Sequence, residues 1–211
     1  MPTPDLLAPP LGWLSEPQAR LAPPPLAQAG CLFRALSRTS RWFGRTEVPG
    51  IFSVLNIQRR LFMPWLWFAS RLMPYGTLPD TVRELLILRT GWNCRCRYEW
   101  GQHVDIGLRM GLSDTEIVQA TQGPSAFGDA RRRTALQACD ELCLHNVVQA
   151  DTWQAMSEHW AQPELVEILV LVGHYRMLAG FLNSVALPLE PPIEARLVAF
   201  EQRMAARLIT S

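Results

Sequence analysis

Six side chains able to move protons or electrons fall between residues 84 and 103: Glu84, Cys94, Cys96, Tyr98, Glu99 and His103. Glu99 and His103 are four apart, so on a helix they share one face. The imidazole exchanges a proton near neutral pH, and a neighbouring carboxylate can orient it. Burial would raise the Glu99 pKa and suit it to act as an acid. Tyr98 is placed to donate to an oxyanion, and Glu84 to complete a relay from the preceding helix. A thiol in the first turn of a helix starting near Cys94 meets unpaired N–H groups and the positive end of the helix dipole. With Arg95 and Arg97 nearby, Cys94 and Cys96 are expected to have lowered pKa values and to be the reactive thiols. Cys139 and Cys143 are expected to pack as apolar surface.

Each of these has a plainer reading. Glu-x-x-x-His alone is commonly a solvated pair. Cys-x-Cys closes too tight a ring for an easy disulfide. Cys94, Cys96 and His103 make an incomplete set for zinc, so no metal is expected. His145 and His159 read as surface or core residues, and His174 beside Tyr175 as a satisfied core histidine. The Trp-rich segment Pro64 to Phe68 reads as core or interface rather than a cofactor box.

Helices must position this cluster. Alternating β-branched runs and hairpin signals are missing, which makes the fold class all-α. The apolar stripe Leu55, Phe62, Leu66, Ala69 predicts one helix over about Phe52 to Met73. Thr77 is placed to cap the next, with Pro79 in its first turn and a loosening at Gly91. A third helix is expected from about Cys94 to Met110, stopped by a left-handed Gly111. Ser113 and Glu116 form a capping box, Gly123-Pro124 is a break, and Asp129 is a start signal. Asp151 with Gln154 looks like another cap. Pro163 opens a long apolar helix to about Ala186, and Pro191-Pro192 precedes an amphipathic helix ending near Ile209. Residues 1–28, with Pro23 to Pro25 in a row, read as an extended arm, and 29–211 as a single domain.

Composition narrows the chemistry. The 211 residues fit one domain with a full core, and a net charge of +1 favours neither nucleic acid nor an anionic membrane. All twenty basic residues are Arg. Without lysine there is no Schiff-base mechanism and no Walker-type phosphate loop. Five cysteines, and no basic stretch leading into a long apolar run, point to a reducing, cytoplasmic setting. Apolar runs such as Ile168 to Val172 are too short to span a bilayer. Eight Trp predict large apolar contacts within the core or between subunits.

The pattern Leu78-Pro79-Asp80, Arg83-Glu84-Leu85, Cys96-Arg97-Tyr98-Glu99-Trp100, His103, Gly111-Leu112-Ser113, Glu116-Ile117 resembles the carboxymuconolactone decarboxylase family, which includes the alkylhydroperoxidase D-like proteins. Ala138 to Leu142, Leu165-Val166-Glu167 and Gly173-His174-Tyr175 extend the likeness over roughly residues 45–190. The resemblance implies a helical bundle that assembles as a homo-oligomer (dimer, trimer or hexamer), acts on a small molecule and needs no cofactor. In its peroxidase members a Glu precedes Cys-x-x-Cys-x-x-x-His, which would be Glu84, Cys96 and His103. Glu99 stands where the peroxide-attacking cysteine belongs, so the usual disulfide cycle would need Cys94 as a substitute. Three readings follow: an acid–base enzyme acting on an organic acid, lactone or carbonyl compound; a thiol peroxidase using Cys96 and Cys94; and a non-catalytic binding or assembly protein. For the first, Arg89, Arg95 and Arg97 are the candidate partners for an anionic substrate.

Overall fold

The computed structural model describes residues 7–14, 18–22, 24–25, 28, 30, 33–34 and 48–209. Cys31 lies outside them, as does part of the proline-rich arm. The described residues from 48 onward fold into helices joined by short connections: α1 (Gly50–Leu55), α2 (Arg59–Leu72), α3 (Asp80–Asn93), α4 (Arg97–Arg109), α5 (Asp114–Gln122), a 3-10 turn (Pro124–Ala126), α6 (Ala130–His145), α7 (Ala150–His159), α8 (Gln162–Val185) and α9 (Pro191–Ile209).

Helix α3 is the axis of the bundle and packs on α4, α6 and α8. It is buried on every side, from Val82 through Leu88 and again at Thr90 to Trp92. Burying such Leu and Ile side chains contributes about 1.5–3 kcal/mol each. Polar residues fix its register: Arg89 grips Asp140 of α6 through Nε and Nη2 at 2.6 and 2.9 Å, and Asn93 donates to the same carboxylate at 2.7 Å.

Several sequence signals are realised. Ser113 and Glu116 close a capping box, the Asp129 side chain accepts from the Arg131 N–H, and Gly111 is left-handed at φ 98°. Others shift. The stripe expected to form one helix is split into α1 and α2, because Gln58 leaves helical geometry (φ −99°, ψ 83°) although no Gly or Pro marks the place. Pro79, not Thr77, caps α3; the Thr77 N–H donates to Glu167 of α8 at 2.8 Å. Gly91 does not loosen α3. It lets α4 approach: a Cβ there would lie 3.3 Å from Glu99 Cβ and 3.3 Å from the Trp100 nitrogen. Helix α4 starts at Arg97, since Cys94 still caps α3 and Arg95 takes a left-handed φ of 55°. Gln149 rather than Asp151 caps α7.

Two expectations about the apolar segments change in detail. Gln162–Val185 is long and apolar enough by composition to cross a membrane, yet in this fold it packs against α3 and α6 through Leu165, Ile168, Leu171, Val172 and Leu178. Part of the N-terminal arm is docked: Arg95 holds the Leu11 and Gly12 carbonyls at 2.5 and 2.7 Å, and Trp13 lies against Trp92 and Trp100.

Candidate active site

The α3–α4 contact brings Glu84, Glu99 and His103 together. His103 sits one helical turn after Glu99, and its Nδ1 is 2.7 Å from Glu84 Oε2 across the interface. That contact fixes the imidazole with Nδ1–H donating to the carboxylate. Nε2 then faces Glu99, whose Oε2 is 3.5 Å away. Behind Glu84 stands Arg83, with Nε 3.6 Å from Glu84 Oε1 and Nη2 2.8 Å from Asp80. A chain of charged groups thus runs from Asp80, more than half exposed, to Glu84, fully buried.

Glu99 is the electrostatic centre. Burial pushes its pKa up to about 7, with His103 pulling it down and Glu84 raising it further. Its Oε1 and that of Glu84 have no hydrogen-bond partner among the described residues. Glu99 and His103 line a cavity of about 370 Å³ between α4, α2, α1 and α8. The walls are mainly apolar, among them Ile51, Phe52, Trp65, Leu66, Ile106 and Leu178.

The other expected site residues are engaged or placed away from the cavity. Tyr98 reaches the cavity, but its hydroxyl donates to Glu190 at 2.8 Å and accepts from the Ile51 N–H at 3.2 Å, so it is engaged rather than aimed at an oxyanion. Cys96 is 1% exposed and not part of the cavity wall. The Tyr98 and Glu99 N–H groups do favour its thiolate, but burial and the Glu99 carboxylate outweigh them and drive its pKa up. Cys94 turns to Cys143 of α6, and that hydrogen bond together with burial raises its pKa strongly. The lowered thiol pKa values expected from the helix start are therefore not found. Nor do the three arginines reach the cavity: Arg89 is held by Asp140, Arg95 by the N-terminal carbonyls, and Arg97 by Glu194 of α9 at 2.7 Å.

Residues 61–141 match the sequence model of the carboxymuconolactone decarboxylase family, a segment that carries Glu84, Cys96, Glu99 and His103. That match spans α3, α4 and α5 and most of α2 and α6. No curated protein matches the chain by sequence. Solved structures share the fold at low identity. An uncharacterized peroxidase-related protein from Ralstonia eutropha JMP134, described as an alkylhydroperoxidase AhpD core, superposes with a TM-score of 0.74 at 18% identity, over 85% of this chain and 96% of its own. A peroxidase-related protein from Silicibacter sp. TM1040 gives 0.74 at 12% identity over 85% and 95%. The debrominase Bmp8 gives 0.73 at 11% identity over 88% and 100%.

Within the matched segment, Glu84 and His103 were legible from spacing. His174 was not. It lies outside the matched segment, on α8, yet it lines the same cavity. Its sequence signals are an imidazole interrupting an apolar run and a place in the Gly173-His174-Tyr175 likeness, and neither marks it as part of the site. Glu190, which ties down Tyr98, sits 92 residues along the chain and has no local signal at all.

Proposed function

We propose that this chain is a proton-transfer enzyme acting on a small carbonyl compound or lactone held in the cavity. Ionised Glu99 removes a proton from a carbon beside the carbonyl. His103 Nε2 takes that proton on from Glu99, and Glu84 stabilises the imidazolium that forms. Reversal of these steps returns the proton at the same or a conjugated position. The observation that carries this reading is Glu99 itself: a buried carboxyl on the cavity wall with pKa about 7, beside a histidine held by a second carboxylate.

The thiols support proton transfer over a peroxide cycle, since Cys96 is buried behind the cavity wall and its thiol is shifted away from thiolate. The fold neighbours include a debrominase and peroxidase-related proteins, so fold alone does not choose a reaction. Positioned acid–base groups typically contribute about 10²–10⁴-fold. The test is exchange of the α-protons of 1-tetralone, a neutral bicyclic ketone, into D₂O followed by NMR. Glu99→Gln and His103→Ala should each lose about 10²–10⁴-fold, whereas Cys96→Ser keeps most of the rate. Equal loss in all three variants, or consumption of Cys96 thiol by an alkyl hydroperoxide, would turn the assignment to thiol chemistry.

A further inference from the structure

We infer that the cavity takes an uncharged, ring-sized carbonyl compound, its oxygen held by His174 while its acidic C–H group meets Glu99. This rests on the proton-transfer reading and adds the substrate class and a positioning residue.

The first argument is charge. The chain has no lysine. No arginine lines the cavity among the described residues, and Arg89, Arg95 and Arg97 are bound elsewhere. Arg83 lies behind Glu84 and is balanced by Glu84 and Asp80. A carboxylate on the ligand would leave water without a partner and would face Glu99, a costly arrangement in an apolar site. The multiply charged acid expected of a carboxymuconolactone decarboxylase finds no counter-ion here.

The second is shape. A volume of about 370 Å³ sits at the low end of the roughly 300–1,000 Å³ usual for small-molecule sites. The aromatic lining suits a flat ring, because aromatic faces prefer offset or edge contacts with other rings.

The third is the pair of polar poles. His103 and His174 flank Tyr175, with ring centroids 5.2 and 5.4 Å from it. His174 stacks on Trp65 at 6.1 Å and 18° and meets the edge of Phe68 at 5.4 Å. No hydrogen bond engages its ring nitrogens among the described residues. Burial lowers its pKa to about 4, so at neutral pH it offers one N–H donor and no charge. Of the other polar side chains on the wall, Tyr98 and Gln102 are tied to Glu190, the Ser70 hydroxyl donates to the Trp67 carbonyl, the Tyr175 hydroxyl turns to Met73 Sδ at 3.8 Å, and Tyr75 is 70% exposed at the rim. His174 is therefore the buried donor left to receive a carbonyl oxygen.

The test is equilibrium binding of three probes by calorimetry: 1-tetralone, tetralin (the same rings without oxygen) and a ring-carboxylated 1-tetralone. Wild-type protein should bind tetralone best, with the carboxylated ketone about tenfold or more weaker. His174→Leu should weaken tetralone by about tenfold, the scale of a hydrogen bond left unmade, and leave tetralin unchanged. His174→Gln, which restores a donor, should recover part of the loss and serves if the leucine variant does not fold. Tighter binding of the carboxylated ketone, equal weakening of tetralone and tetralin by His174→Leu, or no tetralone binding at all would overturn the proposal. Binding in the expected order without α-proton exchange would sink the proton-transfer reading alone. Glu99-dependent exchange with the charged probe preferred would sink the ligand class alone.

Discussion

Glu99 sets a conflict between stability and chemistry. Its folded pKa of about 7 lies above the value of about 4.3 for an exposed Glu, so the folded state binds its proton more tightly than the unfolded chain. The stability this proton contributes is full below about pH 4 and is lost as pH rises towards 7, by about 3 kcal/mol for a shift of this size. Glu99→Gln is thus expected to gain up to about 3 kcal/mol relative to wild type at pH 8 and little at pH 4.5, measured by urea unfolding at both values. Turnover should move the opposite way, rising through about pH 7 as the carboxylate forms; a profile that falls there would make Glu99 the acid instead. Spacing alone revealed the partnership of Glu99 with His103. It could not reveal the fate of the thiols, because the helix start favours thiolate while tertiary burial decides against it.

At the level of elements, the site depends on how closely α3 and α4 approach. Gly91 permits that approach, with a substituted Cβ 3.3 Å from both Glu99 Cβ and the Trp100 nitrogen. Gly91→Ala should therefore cost about 1–3 kcal/mol by overpacking and push α4 off α3. NMR of the His103 imidazole should show the Glu84 contact lengthened or lost, and an unchanged Nδ1–H signal would contradict this role. Local chemistry marked the capping box at Ser113, the start at Asp129 and the stop at Gly111. The break at Gln58 and the late start of α4 escaped, because both follow from packing between helices and leave no Gly or Pro behind.

For the molecule as a whole, the all-helical architecture was visible in the missing strand signals. The outer face of α8 raises a further expectation. Val166, Val170 and Met177 are exposed along one face of α8, and an apolar stripe of this kind usually meets a partner. If the chain assembles as the family resemblance implies, this face is the expected contact. Val170→Glu is expected to shift sedimentation toward a smaller species; an unchanged coefficient would place the contact elsewhere.

The tryptophan cluster beneath the N-terminal segment has an optical consequence. Trp13 stands at 88° to Trp92 with 5.6 Å between rings, and Trp92 and Trp100 are 5.3 Å apart at 57°. Indoles this close and this oblique share their excitation, so the docked segment should imprint a paired band of opposite signs on the circular dichroism spectrum. Trp13→Leu should remove the part of that couplet that Trp13 contributes, leaving the Trp92–Trp100 part, while α3 and α4 keep their helical signal, turning the arm's attachment into something read directly from absorbed light.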